Sequence, residues 1–242
     1  MKTNVFKTPE EIIFSLANYF VDCANEAINK NDKFSVALSG GNSPKRLYDL
    51  LASADFKSKI DWKKVYFFFG DERYVCHTDP DSNYLMAKTA LFDHLDIDEY
   101  QINKVDTSLN PAAAAQDYDR CICHFFDENP SFDLVLLGLG DDAHTASIFP
   151  HTSLVWIDEE NVKEVYLEDK KVYRISFTAP LINSSKKVVF LTFGANKADA
   201  IKAVFEGEKN VELYPAQLID PLNGELQWFV DEAAVSKLDK KP

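Results

Sequence analysis

The stretch Phe132-Asp133-Leu134-Val135-Leu136-Leu137-Gly138-Leu139-Gly140-Asp141-Asp142-Ala143-His144-Thr145-Ala146-Ser147 decides how this chain is read. Leu134 to Leu137 form an unbroken apolar run, the pattern of a strand buried on both faces. Gly138 and Gly140 then mark a turn, and the turn delivers a carboxylate, Asp142, and an imidazole, His144, two residues apart. In open α/β proteins chemistry collects where loops leave the carboxyl ends of the strands. An Asp-x-His pair at that place can orient and charge an imidazole for proton transfer near neutral pH. A satisfied core histidine is the plainer alternative, but the position of His144 after the strand favours a functional role.

Working outward, the same pattern recurs. Phe34 to Leu38 and Val65 to Phe69 are apolar strands, and each ends in glycine: Ser39-Gly40-Gly41-Asn42-Ser43-Pro44 and Gly70-Asp71-Glu72-Arg73-Tyr74. Thr8-Pro9-Glu10-Glu11 carries a helix-start signal, and apolar residues at helical spacing extend it to about Asn29. Further helices are expected over Lys45 to Leu51, Ser82 to Phe92, Ala112 to Phe126 and Lys197 to Phe205. Val162 to Leu167, Val172 to Phe177, Val188 to Phe193 and Gln227 to Val230 are strand-like, and Val155 to Val172 is expected to leave the main sheet. Alternating strands and helices predict an α/β fold, Rossmann-like, with a largely parallel sheet flanked by helices on both faces. Without repeats or linkers, residues 1–242 are expected to form one domain.

Composition narrows the function. The net charge of −13 argues against binding of nucleic acid or an anionic membrane surface, and no run approaches transmembrane length. An anionic substrate must therefore be held by a few local cations. Only four arginines exist, Arg46, Arg73, Arg120 and Arg174. Arg174 is notable inside an apolar strand. Lys197 is notable at a helix start, where a cation is unfavourable unless an anion binds. The four cysteines lack disulfide spacing, and Cys121-x-Cys123-His124 lies in a helix where positions two apart face apart. No metal ligand set and no cofactor are expected, and the chain reads as cytoplasmic.

The glycine loops allow more than one reading. Ser39 to Ser43, between a strand and a helix, suits an anion cradle, although a plain tight turn fits the same residues. It lacks the lysine ending of a Walker loop. Gly138 to Ala143 formally matches a dinucleotide fingerprint, but two aspartates stand where a pyrophosphate would lie. Arg73 suits bidentate binding of phosphate or carboxylate; a solvated turn with an internal ion pair is its alternative. No G-x-S-x-G elbow is present.

Taken in order, these motifs resemble the 6-phosphogluconolactonase family, which shares its fold with sugar-phosphate isomerases typified by glucosamine-6-phosphate deaminase. The resemblance rests on Leu38 to Pro44, Gly70 to Tyr74 with Asp81-Ser82-Asn83-Tyr84, Gly138 to Pro150, Tyr173 to Ser176, Gly194 to Ala198 and Pro215 to Leu218. It implies hydrolysis of 6-phospho-D-glucono-1,5-lactone, a phosphorylated sugar lactone, in the pentose phosphate pathway. On that reading His144 is expected as general acid/base, Asp142 as its orienting partner, Arg73 to neutralise substrate charge or support the developing oxyanion, and Asp71 as a supporting or hydroxyl-binding carboxylate. Ser39, Gly40, Gly41, Asn42, Ser43, Arg174 and Lys197 are then expected to grip the phosphate, in a monomer or weak homodimer. Two features qualify the match. The family usually carries glycine where Ala143 stands, and related deaminases carry a glutamate where Phe149 stands. Phe149 disfavours the isomerase or deaminase alternative, and the retained Asp142 and His144 disfavour a non-catalytic binding module.

Overall fold

The computed structural model describes residues 1–240. In chain order the elements are β1 (Lys2–Phe6), α1 (Pro9–Asn31), β2 (Phe34–Leu38), α2 (Asn42–Leu51), β3 (Val65–Phe69), β4 (Asp71–Arg73) and α3 (Asn83–Ala90). They continue as α4 (Pro111–Phe125), β5 (Leu134–Leu137), β6 (Val162–Leu167), β7 (Val172–Phe177), α5 (Ala179–Asn183), β8 (Lys187–Thr192), α6 (Ala198–Glu206) and β9 (Glu225–Asp231). Six strands form a parallel sheet in the order β1-β9-β8-β5-β2-β3. The expected doubly covered parallel sheet is therefore present.

The strands bury alternate residues on opposite faces, as the period of two requires. Val36, Phe67, Leu136 and Val189 join one core with α1, α2 and α3. Ala37, Phe68, Leu137 and Phe190 join the other with α4 and α6. Asp133 locks the start of the central pair. It accepts hydrogen bonds from the Ser35 amide (2.8 Å) and hydroxyl (2.9 Å) and pairs with Lys186 at 2.7 Å.

Three details depart from the sequence expectation. β1 was not foreseen: Lys2-Thr3-Asn4-Val5-Phe6 is a half-exposed edge strand paired only with β9, so its apolar pattern is weak. Asp71 to Arg73, expected as a turn, is instead a short strand. With β7 and β6 it builds a three-stranded antiparallel sheet, which is the excursion expected near Val155 to Val172. Helix α2 begins at Asn42 rather than Lys45, with Gly41 capping it at φ +102°. Pro44 is tolerated there because amides in the first turn have no helical partner.

This topology places the site. From β2 the chain steps to β3 on one side of the sheet; β5 then lies on the other side of β2. The loops leaving β2 and β5 thus diverge at a topological switch point, where open α/β sheets present a crevice.

Candidate active site

The loop after β5 is folded back on itself. The Gly140 amide donates to the His144 carbonyl (2.8 Å), the Ala143 amide to the Gly140 carbonyl (3.1 Å), and the Thr145 hydroxyl to the Gly138 carbonyl (2.9 Å). Within this frame His144 Nδ1 lies 2.5 Å from Asp142 Oδ1, which also accepts the His144 amide at 3.1 Å. Partial burial opposes the charge on Asp142, but the hydrogen bonds and charge of His144 outweigh it and hold its pKa at about 2. An ionised Asp142 fixes the hydrogen of His144 on Nδ1 and leaves Nε2 as a lone-pair base. Phe149 stacks on the imidazole with ring centroids 3.9 Å apart, fixing its plane.

Two glycines make room for this arrangement. A Cβ on Gly140 would lie 2.0 Å from His144 Nδ1 and 2.5 Å from Asp142 Oδ1. A Cβ on Gly40 would lie 1.9 Å from Asn83 Oδ1. At Ala143, where the family favours glycine, the backbone is left-handed with φ +61°. That conformation costs an L residue roughly 1–2 kcal/mol. The Ala143 methyl is fully buried in the core, and burying one such carbon returns roughly 0.8 kcal/mol. Burial thus offsets part of the cost of the left-handed backbone at Ala143.

A second network supports Asp71. Its Oδ2 accepts the Ser147 hydroxyl at 2.7 Å, and its Oδ1 accepts Asn83 Nδ2 at 3.2 Å. This ties β4 to the His144 loop. Next to it Glu72 is buried and accepts the amides of Arg73 (2.7 Å), Asn83 (2.7 Å) and Tyr84 (2.9 Å) and the Ser82 hydroxyl (3.2 Å). Burial raises its pKa, with the three amides pulling the other way.

The cations come mainly from the small sheet. Arg73 and Arg174 stand opposite each other on β4 and β7. Arg73 donates to the Asp81 carbonyl at 2.8 Å, and Arg174 to the Tyr173 carbonyl at 3.3 Å. Burial, then the charge of Arg73, lowers the Arg174 pKa. Two guanidiniums held side by side favour an anion between them. Lys197, from the turn that opens α6, pairs with Asp141 at 2.6 Å, so its unfavourable place at a helix start is met by a protein carboxylate.

A cavity of about 310 Å³ gathers Ser39, Gly40, Asp71, Arg73, His144, Arg174 and Lys197 on its walls. Gly41, Asn42 and Ser43 are outside its lining, carried away in the start of α2. Asp142 sits behind His144 and faces a neighbouring groove of about 750 Å³. The sequence reading gave no role to Ser147, Asn83, Phe149 or Lys170. Ser147 and Asn83 lie in the quoted motifs, but only the fold shows that both bind Asp71. No sequence signal marks Lys170, which sits in a charged hairpin turn.

Comparison with known proteins gives the family and the fold. A model for the family described as glucosamine-6-phosphate isomerases/6-phosphogluconolactonase matches residues 7–228. The chain is 40% identical over 245 aligned residues to a 6-phosphogluconolactonase of Nostoc sp., covering 98% of this chain and 99% of that one. It is 41% identical over 218 residues to a 6-phosphogluconolactonase of Synechocystis sp., covering 88% of each. Among solved structures, a 6-phosphogluconolactonase from Trypanosoma cruzi superposes with a TM-score of 0.87 at 27% identity, covering 99% of this chain and 97% of that one.

Proposed function

This chain belongs to the glucosamine-6-phosphate isomerase/6-phosphogluconolactonase family, and we infer that within it the chain is a lactonase, a carboxylic ester hydrolase. It hydrolyses 6-phospho-D-glucono-1,5-lactone to 6-phosphogluconate in the pentose phosphate pathway. The observation that carries the mechanism is the Asp142-backed His144 on a cavity wall that also presents two guanidiniums with no carboxylate in ion-pair distance among the described residues. His144 Nε2 takes a proton from water as the water oxygen attacks the lactone carbonyl. Arg73 stabilises the charge that develops on the carbonyl oxygen. The bond from the carbonyl carbon to the ring oxygen then breaks, and His144 returns the proton to that oxygen. Asp142 keeps the imidazole oriented and steadies its charged form. Asp71, held by Ser147 and Asn83, receives a substrate hydroxyl.

Arg174 and Lys197 grip the phosphate, with the backbone at Ser39 and Gly40 forming the floor; Gly41, Asn42 and Ser43 support that loop from outside. Phe149 cannot move a proton, which leaves an isomerase or deaminase without its second acid–base group. We read residues 1–242 as one domain, in a monomer or weak homodimer. No helix among the described residues is long and apolar enough to cross a membrane. The four cysteines are free thiols, which fits a reducing, cytoplasmic setting. Stopped-flow hydrolysis of freshly made phospholactone, corrected for spontaneous opening, tests the reading. Ammonia release from glucosamine 6-phosphate without lactone turnover would replace it with a deaminase.

A further inference from the structure

The turn between β6 and β7 places a cation where the sequence gave no reason to expect one. Lys170 lines both the 310 Å³ site and the adjoining 750 Å³ groove. Its Nζ lies 4.8 Å from the centroid of the Phe149 ring, which itself stacks on His144. Glu168 and Asp169 immediately precede it in the chain, yet among the described residues no carboxylate lies within ion-pair distance of its ammonium. Lys197, the other lysine of the cavity, is tied to Asp141 at 2.6 Å.

An ammonium resting on an aromatic face retains donors for a ligand, because the ring accepts its charge without using an oxygen. Lys170 is exposed, so its charge sits at the rim and is not buried at a desolvation cost. Arg174 stands on β7, the second strand of this hairpin, and Arg73 on β4, which pairs with it. The turn therefore brings a third unpaired cation to the same cavity.

We propose that Lys170 is a specificity-determining residue whose ammonium binds the phosphate of the sugar lactone from the hairpin side. This deepens the lactonase reading and rests on it. Its role is to favour phosphorylated over plain lactone, with no part in proton transfer.

Steady-state kinetics on 6-phosphogluconolactone and unphosphorylated glucono-1,5-lactone test it in wild type, Lys170→Met and Lys170→Arg. Methionine keeps an unbranched stem over Phe149 and removes the charge. The expected result is a KM for the phospholactone raised about tenfold in Lys170→Met, the scale of one charge-assisted hydrogen bond. Its kcat should stay within about twofold, the plain lactone should be unaffected, and arginine should restore the KM. An unchanged KM in Lys170→Met overturns the proposal, as does an equal loss on both lactones, which would mark simple packing on Phe149. If the wild type itself does not discriminate between the lactones, the phosphate reading fails and takes the proposal with it. If the wild type discriminates and Lys170→Met does so equally well, only the proposal falls.

Discussion

His144 commits Nδ1 to Asp142; in the proposed mechanism Nε2 serves the substrate, so truncating the side chain should remove proton transfer and little else. His144→Ala is expected to lower kcat by about 100-fold or more while binding of 6-phosphogluconate persists. Gly140→Ala probes the same pair without touching it. Its φ is not in the left-handed region, so an alanine backbone is unstrained there; the atoms nearest the new Cβ belong to the Asp142–His144 pair. A comparable fall in kcat with a modestly lowered melting temperature is expected, and near-wild-type turnover in either folded variant would remove the pair from the mechanism. Asp142 also leaves a trace in stability. Its pKa of about 2 lies below the roughly 3.9 of an unfolded aspartate. Its ionisation therefore stabilises the fold above about pH 4, and that contribution fades as pH falls through the folded value. Urea unfolding of wild type and Asp142→Asn should differ by a constant amount at neutral and weakly acid pH. The difference should begin to shrink below about pH 4 and be nearly gone by about pH 2.

Among the elements, the start of α3 depends most on one side chain. Glu72 satisfies two of its first amides and the Ser82 hydroxyl from a buried position. Glu72→Ala would strand those donors away from water. A loss of about 2–4 kcal/mol is expected in denaturant unfolding, with the slope unchanged and Glu72→Gln falling between. Because α3 carries Asn83, the same variant should lower activity through Asp71; a stable Glu72→Ala chain with full turnover would contradict this account. The elements that the sequence disclosed are those whose pattern is set by burial. β2, β3 and β5 are covered on both faces, so their residues had to be apolar save where a buried partner satisfies a polar group, as Asp133 does Ser35. β4 stayed hidden because its three residues are all charged and its pairing with β7 is made by backbone alone. β1 stayed hidden because an edge strand needs little apolar surface.

Across the whole molecule the work is divided between two sheets. Loops of the parallel sheet supply Ser39, Gly40, Asp142 and His144; the antiparallel sheet supplies Asp71, Arg73, Arg174 and, from its hairpin, Lys170. The half of the site on the parallel sheet was legible because glycine loops follow strands in sequence. In the other half Asp71, Arg73 and Arg174 stood out as charges beside or within apolar strands, but Ser147 meeting Asp71, 76 residues away, and Lys170 meeting Phe149 depend on the fold and gave no local signal. The charge distribution gives this division a measurable consequence. With a net charge of −13 the chain as a whole repels a phosphate, and attraction must come from cations within a Debye length, about 8 Å at physiological ionic strength. Arg174 is partly buried beside Arg73 and has no carboxylate partner in ion-pair distance among the described residues. Lys197 must exchange Asp141 for the ligand. Arg174→Ala should therefore raise KM for the phospholactone by about tenfold or more, and Lys197→Ala by less. Asp141→Asn, which frees Lys197, should lower that KM. None of the three should alter turnover of plain gluconolactone, and a loss shared equally by both lactones would place the phosphate elsewhere.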